Sequence, residues 1–503
     1  MIWDIYSVGD SNFLYAVFNG VAMVVNDDGF RSMVVLGALL GVIGLSFHGL
    51  SQGGKFPEFQ HLLIGFIIIY GGFYTTTSVA IHDVYTNEVK RVDNVPLAFA
   101  AGSIVTQAGR FLTEKFEQGF STATMSNYGF VDPLSVLATV RQSTMYNMGM
   151  AEALTTSPTN NLQASWHNYI KECTLVGIDI GEKTPKDVYF ASDFVEGLRF
   201  DHNVYGTEIY LGQREYKTCK EAYPLLKNAT TGTTAGNIFT TLGKHLSLQP
   251  GETPKDRLGK AIQSLGLSAE NAQKYVLAST LEPVFFDAAH AKYIEYRQPA
   301  YAAMVNDAIN QRNTQWAAEG SLFMNIVRPM MAFMESFVFA ITPLAAFLVV
   351  TGSKGVQLAG KYLILLIWIQ LWQPLLAVVN LYILTVAGNE LIALSAGSGF
   401  ASLASIQMAD KTLQTWLSMG GMMAASIPAL SLMLIYGSAV TATSLMGRMQ
   451  GGDFINEKKV SPDTMNAPPV LNHNIGWSGN QTTGFYGNGT PDAVSSLSTL
   501  NPA

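Results

Sequence analysis

Few residues in this chain have the types and spacing that chemistry needs. Its two cysteines, Cys173 and Cys219, fall in one polar stretch. That suits one disulfide in an oxidising compartment; the other reading is two unpaired buried thiols. Their number and spacing exclude a CxxC redox motif and a zinc site. Eight histidines are scattered, and none forms HExxH or another tight metal spacing. Asp201 beside His202, and Asp287 near His290, are the nearest pairs, but each lacks a third ligand. Capping and surface roles are expected for them. The run Gly177-Ile178-Asp179-Ile180-Gly181-Glu182-Lys183-Thr184 imitates a phosphate loop, yet Glu182 stands where the last glycine belongs and would repel phosphate. No Gly-x-Ser-x-Gly elbow occurs. We expect no catalytic, cofactor or metal site, and a protein that is not an enzyme.

Polar residues inside apolar stretches are the better candidates for special roles. Glu335 lies about one turn into such a stretch and is expected to snorkel toward Arg328; the sharper reading is an ion or proton site. Gln370, Gln373 and Asn380 surround Pro374 in another, where they can hydrogen-bond across helices while the proline loosens the backbone. Pro428 interrupts a third. Gly37, Gly41 and Gly44 form a small-residue face for close helix packing, within one chain or between copies, so homo-oligomerisation is allowed.

These residues need elements to hold them. Only 13% of the 503 residues are charged and 48% are hydrophobic, against about 25% charged in an ordinary soluble domain. The net charge of −7 comes with no basic stripe, so direct nucleic-acid binding is not expected. The start, Met-Ile-Trp-Asp, has no basic region before its apolar residues, so the spans themselves are expected to direct insertion.

About five transmembrane helices are predicted, at 32–50, 61–80, 331–351, 362–387 and within 413–446. From 331 to 446 the charges are Glu335, Lys354, Lys361, Glu390, Asp410 and Lys411; all except Glu335 are expected in connections. The fold class is therefore a mostly α-helical polytopic membrane protein with an inserted, helix-rich α+β domain. Residues 1–31 read as an interfacial helix carrying Phe13, Leu14, Val17, Phe18, Val21 and Val24, the alternative being a sixth span. Residues 32–80 hold two spans, 81–330 the domain, 331–446 three spans, and 447–503 a flexible Gly/Asn/Ser-rich tail or linker. A linker should lead onward, so a longer protein is expected. Within the domain, Pro96 is expected at a first helical position with Asn94 as its cap. Residues 155–255 should be loop-rich with short strands, and 254–329 strongly helical. Charge bias hardly fixes orientation; the cysteine pair puts the domain outside the cytoplasm and the tail inside.

The run Val89-Lys90-Arg91-Val92-Asp93-Asn94-Val95-Pro96, directly after the second apolar stretch, resembles the N-terminal region of the TraG family of conjugative transfer proteins. Arg91, Val92, Asp93, Asn94, Val95 and Pro96 carry the likeness. Cys173 and Cys219 fall where the family has two cysteines in a periplasmic domain. The tract Trp368-Ile369-Gln370-Leu371-Trp372-Gln373-Pro374-Leu375 is similar to the family's aromatic-Gln-Trp-Pro-Leu segment. Ala425-Ser426-Ile427-Pro428-Ala429-Leu430-Ser431 resembles its last-span proline motif. The likeness covers about residues 1–450.

It implies a multi-pass protein of the bacterial inner membrane with residues 81–330 in the periplasm. It implies a part of a conjugative type IV secretion system that acts in pilus assembly and mating pair stabilisation. The expected partners are other secretion and mating-pair proteins and the lipid bilayer. Entry exclusion, by contact with an exclusion protein of the recipient's inner membrane, belongs in the family to a separate C-terminal region. The alternative from another class is a small-molecule or ion transporter, which should show an internal repeat with matching broken helices; two spans before the domain and three after it show no such repeat. An envelope hydrolase would need a catalytic cluster within 81–330, and none stands out.

Overall fold

The computed structural model describes residues 2–7, 10–51, 59–83, 88–120, 125–145, 150–246, 248–249, 251–296, 328–349, 353–395 and 400–436. Most of these residues are helical, with a few small sheets. They fall into two compact units. One forms within Met1–Ser135, Ser321–Gly388 and Thr415–Gly452; the other forms within Val136–Gly320 and Asn389–Gln414.

The first unit is built on a three-stranded sheet. β1 (Ile2–Ser7) runs parallel to the central β2 (Thr76–Asp83), and β3 (Val89–Pro96) lies antiparallel on the other side. Ile5, Val79, Ile81, Val92 and Val95 face the core and are essentially inaccessible to water. The helix α1 (Ser11–Val25), capped by Asp10, lays Leu14, Phe18, Val21, Ala22 and Val25 into the same core. Its apolar side thus covers the sheet, where the sequence suggests a membrane surface. The helix α4 (Phe99–Phe120) packs along β1. Phe18, Phe99 and Phe339 meet edge and face with ring centroids 4.5–5.6 Å apart, the spacing that aromatic quadrupoles favour.

Among the described residues, three helical stretches are long and apolar enough to cross a membrane: Pro329–Val349, Gln357–Ser395 and Leu403–Ile435. They answer to the last three of the five expected spans. The stretch 61–80 does not form one span. A helix α3 (Phe59–Ile68) runs into one π-helical turn, Ile69–Phe73, and the chain then becomes β2. The β-branched residues Thr75, Thr76, Thr77, Val79 and Ile81 favour the pleated form there, so one apolar run crosses a helix–strand boundary. Residues 32–50 lie in the helix α2 (Asp28–Ser51). The charges expected in connections also differ: Lys361, Glu390, Asp410 and Lys411 sit inside helices.

The second unit is more helical than its Thr- and Gly-rich sequence suggests. Two small hairpins, Thr155–Ser157 with Asn160–Asn161 and Gly206–Tyr210 with Arg214–Thr218, interrupt helices that side chains initiate. Thr218 and Glu221 form a capping box that starts Cys219–Thr231. The long helix Asn271–Glu295 runs through this unit and tolerates Pro283 in its interior. The helical reading of 254–329 meets Pro254–Ser264 and Asn271–Glu295, while 297–327 and the tail 447–503 lie outside the described residues.

Candidate functional site

The run that carries the sequence resemblance is a strand with a bulge, not a helix cap. Thr77 pairs with Val95 and Val79 with Val92, so two residues of β3, Asp93 and Asn94, face the single residue Ser78. Asn94 takes the extra step with φ of 60°, a left-handed conformation that Asn accepts better than most residues. The bulge changes which side chains point inward. Strict alternation would bury Val92 and residue 94; the inserted residue buries Val92 and Val95 instead, each worth about 1.5–3 kcal/mol. Polar groups fasten the turn from outside. Ser78 and Arg91 both donate to Asp93, and these two bonds, Ser78 first, hold the Asp93 carboxyl below its ordinary value. Asn26, just past α1, donates to the Asn94 carbonyl at 2.9 Å. Pro96 ends β3 and is buried, and α4 begins only at Phe99.

The other two motifs are the two sides of one helix contact. Trp368 Nε1 donates to the Pro428 carbonyl at 3.0 Å, and Trp372 Nε1 donates to Ser431 Oγ at 3.0 Å. Ser431 in turn donates to the Pro428 carbonyl. Between the tryptophans the helix breaks at Leu371, so Pro374 stands in the first turn of Trp372–Ser395, where a missing N–H costs little. Gln370 loses its i+4 backbone donor to that proline. Gly109 of α4 lies against it, and a Cβ there would come within 3.1 Å of the Gln370 carbonyl oxygen. Gln370 Oε1 and Gln373 Nε2 are buried with no hydrogen-bond partner among the described residues. Asn380 does bond across elements: its Oδ1 accepts from the Val131 N–H at 2.7 Å and so secures a β-branched residue at φ of 46°. Pro428 stays inside an unbroken helix, Leu403–Tyr436.

Glu335 does not snorkel outward. It is buried and accepts a hydrogen bond from Ser7, at the end of β1, at 2.9 Å. Gly37 and Gly41 fall on the buried side of α2 with Val34 and Ala38, and α2 packs against the helix Thr342–Val349. The surroundings of Gly44 lie outside the described residues.

In the second unit Cys173 and Cys219 form a disulfide, with Cα atoms 5.7 Å apart and both side chains fully buried. It joins the π-helical turn Ile170–Thr174 to the first turn of Cys219–Thr231. Trp166, Tyr169 and Tyr223 cluster nearby, with Trp166 Nε1 donating to Thr230 at 2.8 Å.

The sequence pairs do not come together as sites. Asp201 pairs with Arg199, while His202 Nδ1 accepts from the Val204 and Tyr205 N–H groups and closes a turn. Asp287 lies 3.6 Å from His167. In the imitation phosphate loop, Lys183 donates to the Arg199 carbonyl, and Thr184 with Asp187 caps the short helix Pro185–Tyr189. No group of three His, Cys, Asp or Glu among the described residues is placed to hold a metal.

One cluster was not foreseen. Arg141, Glu282 and Asp410 meet in the interior of the second unit, from the helices Asp132–Met145, Asn271–Glu295 and Leu403–Tyr436. Arg141 grips Asp410 through two parallel bonds of 2.7 and 2.6 Å and bonds Glu282 as well. Gln407 donates to the second oxygen of Glu282. Burial works against the Arg141 charge, but Asp410 and Glu282 outweigh it and hold the guanidinium above its ordinary value. Such a group joins helices rather than reacting, because each carboxylate already accepts from a fixed donor. The available signal was weak: three charges far apart in sequence, with no shared motif.

No curated protein and no solved structure matches the chain. The family model described as the N-terminal region of TraG-like proteins matches residues 4–454, a span that includes the bulged strand, the disulfide and both sides of the contact between Trp368–Trp372 and Pro428–Ser431. The chain belongs to the TraG-like family and is a conjugative transfer protein.

Proposed function

We propose that the protein is a non-enzymatic scaffold in the bacterial inner membrane, part of a conjugative type IV secretion system, acting in pilus assembly and mating pair stabilisation. The observation that carries this reading is what the residues behind the sequence resemblance do: they make structure. The bulge sets the inward face of the sheet, the tryptophans join two apolar helices, and the cysteines cross-link the second unit. Three helices suited to a bilayer supply the anchor. The disulfide supports a periplasmic position for the polar residues of 81–330, since such bonds persist in oxidising compartments. Other envelope components of the secretion apparatus are the partners in this proposal. Entry exclusion enters it only through a further C-terminal region that meets an exclusion protein of the recipient, not through residues 4–454.

The test is an in-frame deletion of the gene in a donor cell, with the wild-type gene restored in trans. Transfer frequency, pili and stable mating aggregates should all fall and all recover. Donors that lose transfer but keep normal pili and aggregates would overturn the pilus and mating-pair role.

A further inference from the structure

The helix α4 is not among the stretches apolar enough to be read as spans, yet its setting is that of a membrane helix. From Ala100 to Gly109 its buried residues are small, namely Ala100, Gly102, Ser103, Thr106 and Gly109, and let two spans approach. A Cβ on Gly102 would come within 2.7 Å of the Phe339 ring, and one on Gly109 within 3.1 Å of Gln370. Phe339 stands at the midpoint of the span Pro329–Val349, and Gln370 lies well inside Gln357–Ser395. Seven residues separate Gly102 from Gly109, about 10 Å of helix, so that length of α4 runs beside the interior of both spans.

The outer face of α4, from Ile104 to Phe116, carries large exposed apolar side chains. Ile104 is 60% exposed and Phe111 61%, with Leu112 and Phe116 beside them on the helix. The exposed side chains of Phe333, Phe337, Leu363 and Ile367 extend this character onto the two neighbouring spans. From Phe99 to Gly109 there is no charged residue. The polar side chains there are bonded internally, as hydrocarbon demands. Ser103 and Gln107 donate to the Asp4 carbonyl, and Thr106 donates to Ser103 O. The first charge, Arg110, turns aside to Glu114 at 2.7 Å and to the Tyr6 ring at 4.5 Å. One turn on, Lys115 lies 5.5 Å from the centre of the Phe111 ring, the pairing of cation and aromatic that suits a membrane–water boundary.

We propose that α4 contacts lipid, with Ile104, Phe111 and Leu112 facing acyl chains and Lys115 with Phe116 marking the headgroup level. This rests on the membrane reading given above. Average hydropathy hides it because the inner face is small and polar to suit protein neighbours, not water.

The test uses single cysteines at Ile104, Phe111 and Leu112, in the full chain reconstituted in liposomes. The native pair is joined in a disulfide, so each introduced thiol is the one labelled with a nitroxide. Leu363 serves as the span control and Tyr216, highly exposed in the second unit, as the water control. The expected result is strong broadening by oxygen and loss of broadening by a polar nickel chelate at all three α4 positions, as at Leu363 and opposite to Tyr216. Chelate access at the α4 positions with Leu363 protected overturns the proposal alone. So does protection from both reagents, which would mean a second copy or a partner protein covers the face. Chelate access at Leu363 as well overturns the membrane reading together with it.

Discussion

Asn94 shows how a diagnostic run can be structural. Its left-handed conformation gives β3 one residue more than its partner strand and sends Val92 and Val95 to the same side. Asn94→Gly should therefore be tolerated, whereas Asn94→Val should lower stability by about 1–2 kcal/mol, the cost of forcing a β-branched residue into that region. Thermal unfolding of the purified chain in detergent would measure both. Asp93 adds a pH dependence. Its carboxyl is held below its ordinary value by Ser78 and Arg91, so its contribution is complete above the unfolded value and disappears as pH falls through the folded one. The stability lost in Asp93→Asn should be present at neutral pH and fade in acid. The motif residues could be found in the sequence, but their geometry could not. Pro96 after Asn94 reads equally well as a helix start, and only pairing with Thr76–Asp83 reveals the bulge. The Arg141 cluster was less legible still, because its members lie on three separate helices. Replacing Arg141 by Met leaves two buried carboxylates without their cation and should cost about 3–5 kcal/mol; a shift below about 1 kcal/mol would contradict the cluster.

At the level of elements, the three later apolar helices were readable because a long apolar run with few charges favours one continuous helix. The stretch 61–80 was not, since hydropathy alone does not mark where helix gives way to strand. The contact between Trp368–Trp372 and Pro428–Ser431 carries a direct test. In a double-mutant cycle of Trp372→Phe with Ser431→Ala, coupling of roughly 0.5–1.5 kcal/mol is expected from the lost hydrogen bond. Additive effects would mean that the two motifs are not in contact. The disulfide joins elements 46 residues apart. Cys173→Ser with Cys219→Ser should cost roughly 2–4 kcal/mol, and treating the wild type with reductant should lower its unfolding midpoint toward that of the double variant. An unchanged midpoint in both would exclude a stabilising role.

Across the whole molecule, the runs that carry the sequence resemblance supply Asp93, Trp368, Trp372 and Ser431 to bonds that shape or join elements, and the residues that most resemble catalytic groups, Asp201, His202 and Asp287, lie in turns and ion pairs. Under the proposed function, this protein supplies conjugation with a scaffold and not with a reaction. The most direct measurement is transfer frequency from a deleted donor complemented with two sets of variants, each matched for amount in the membrane. One set breaks structural contacts: Asn94→Val and Trp368→Ala. The other removes the nearest candidates for chemistry: Asp201→Ala, His202→Ala and Asp287→Ala together. The first set should fail to restore transfer and the second should restore it. Loss of transfer in the second set, with the protein folded and inserted at the wild-type level, would contradict the proposed function.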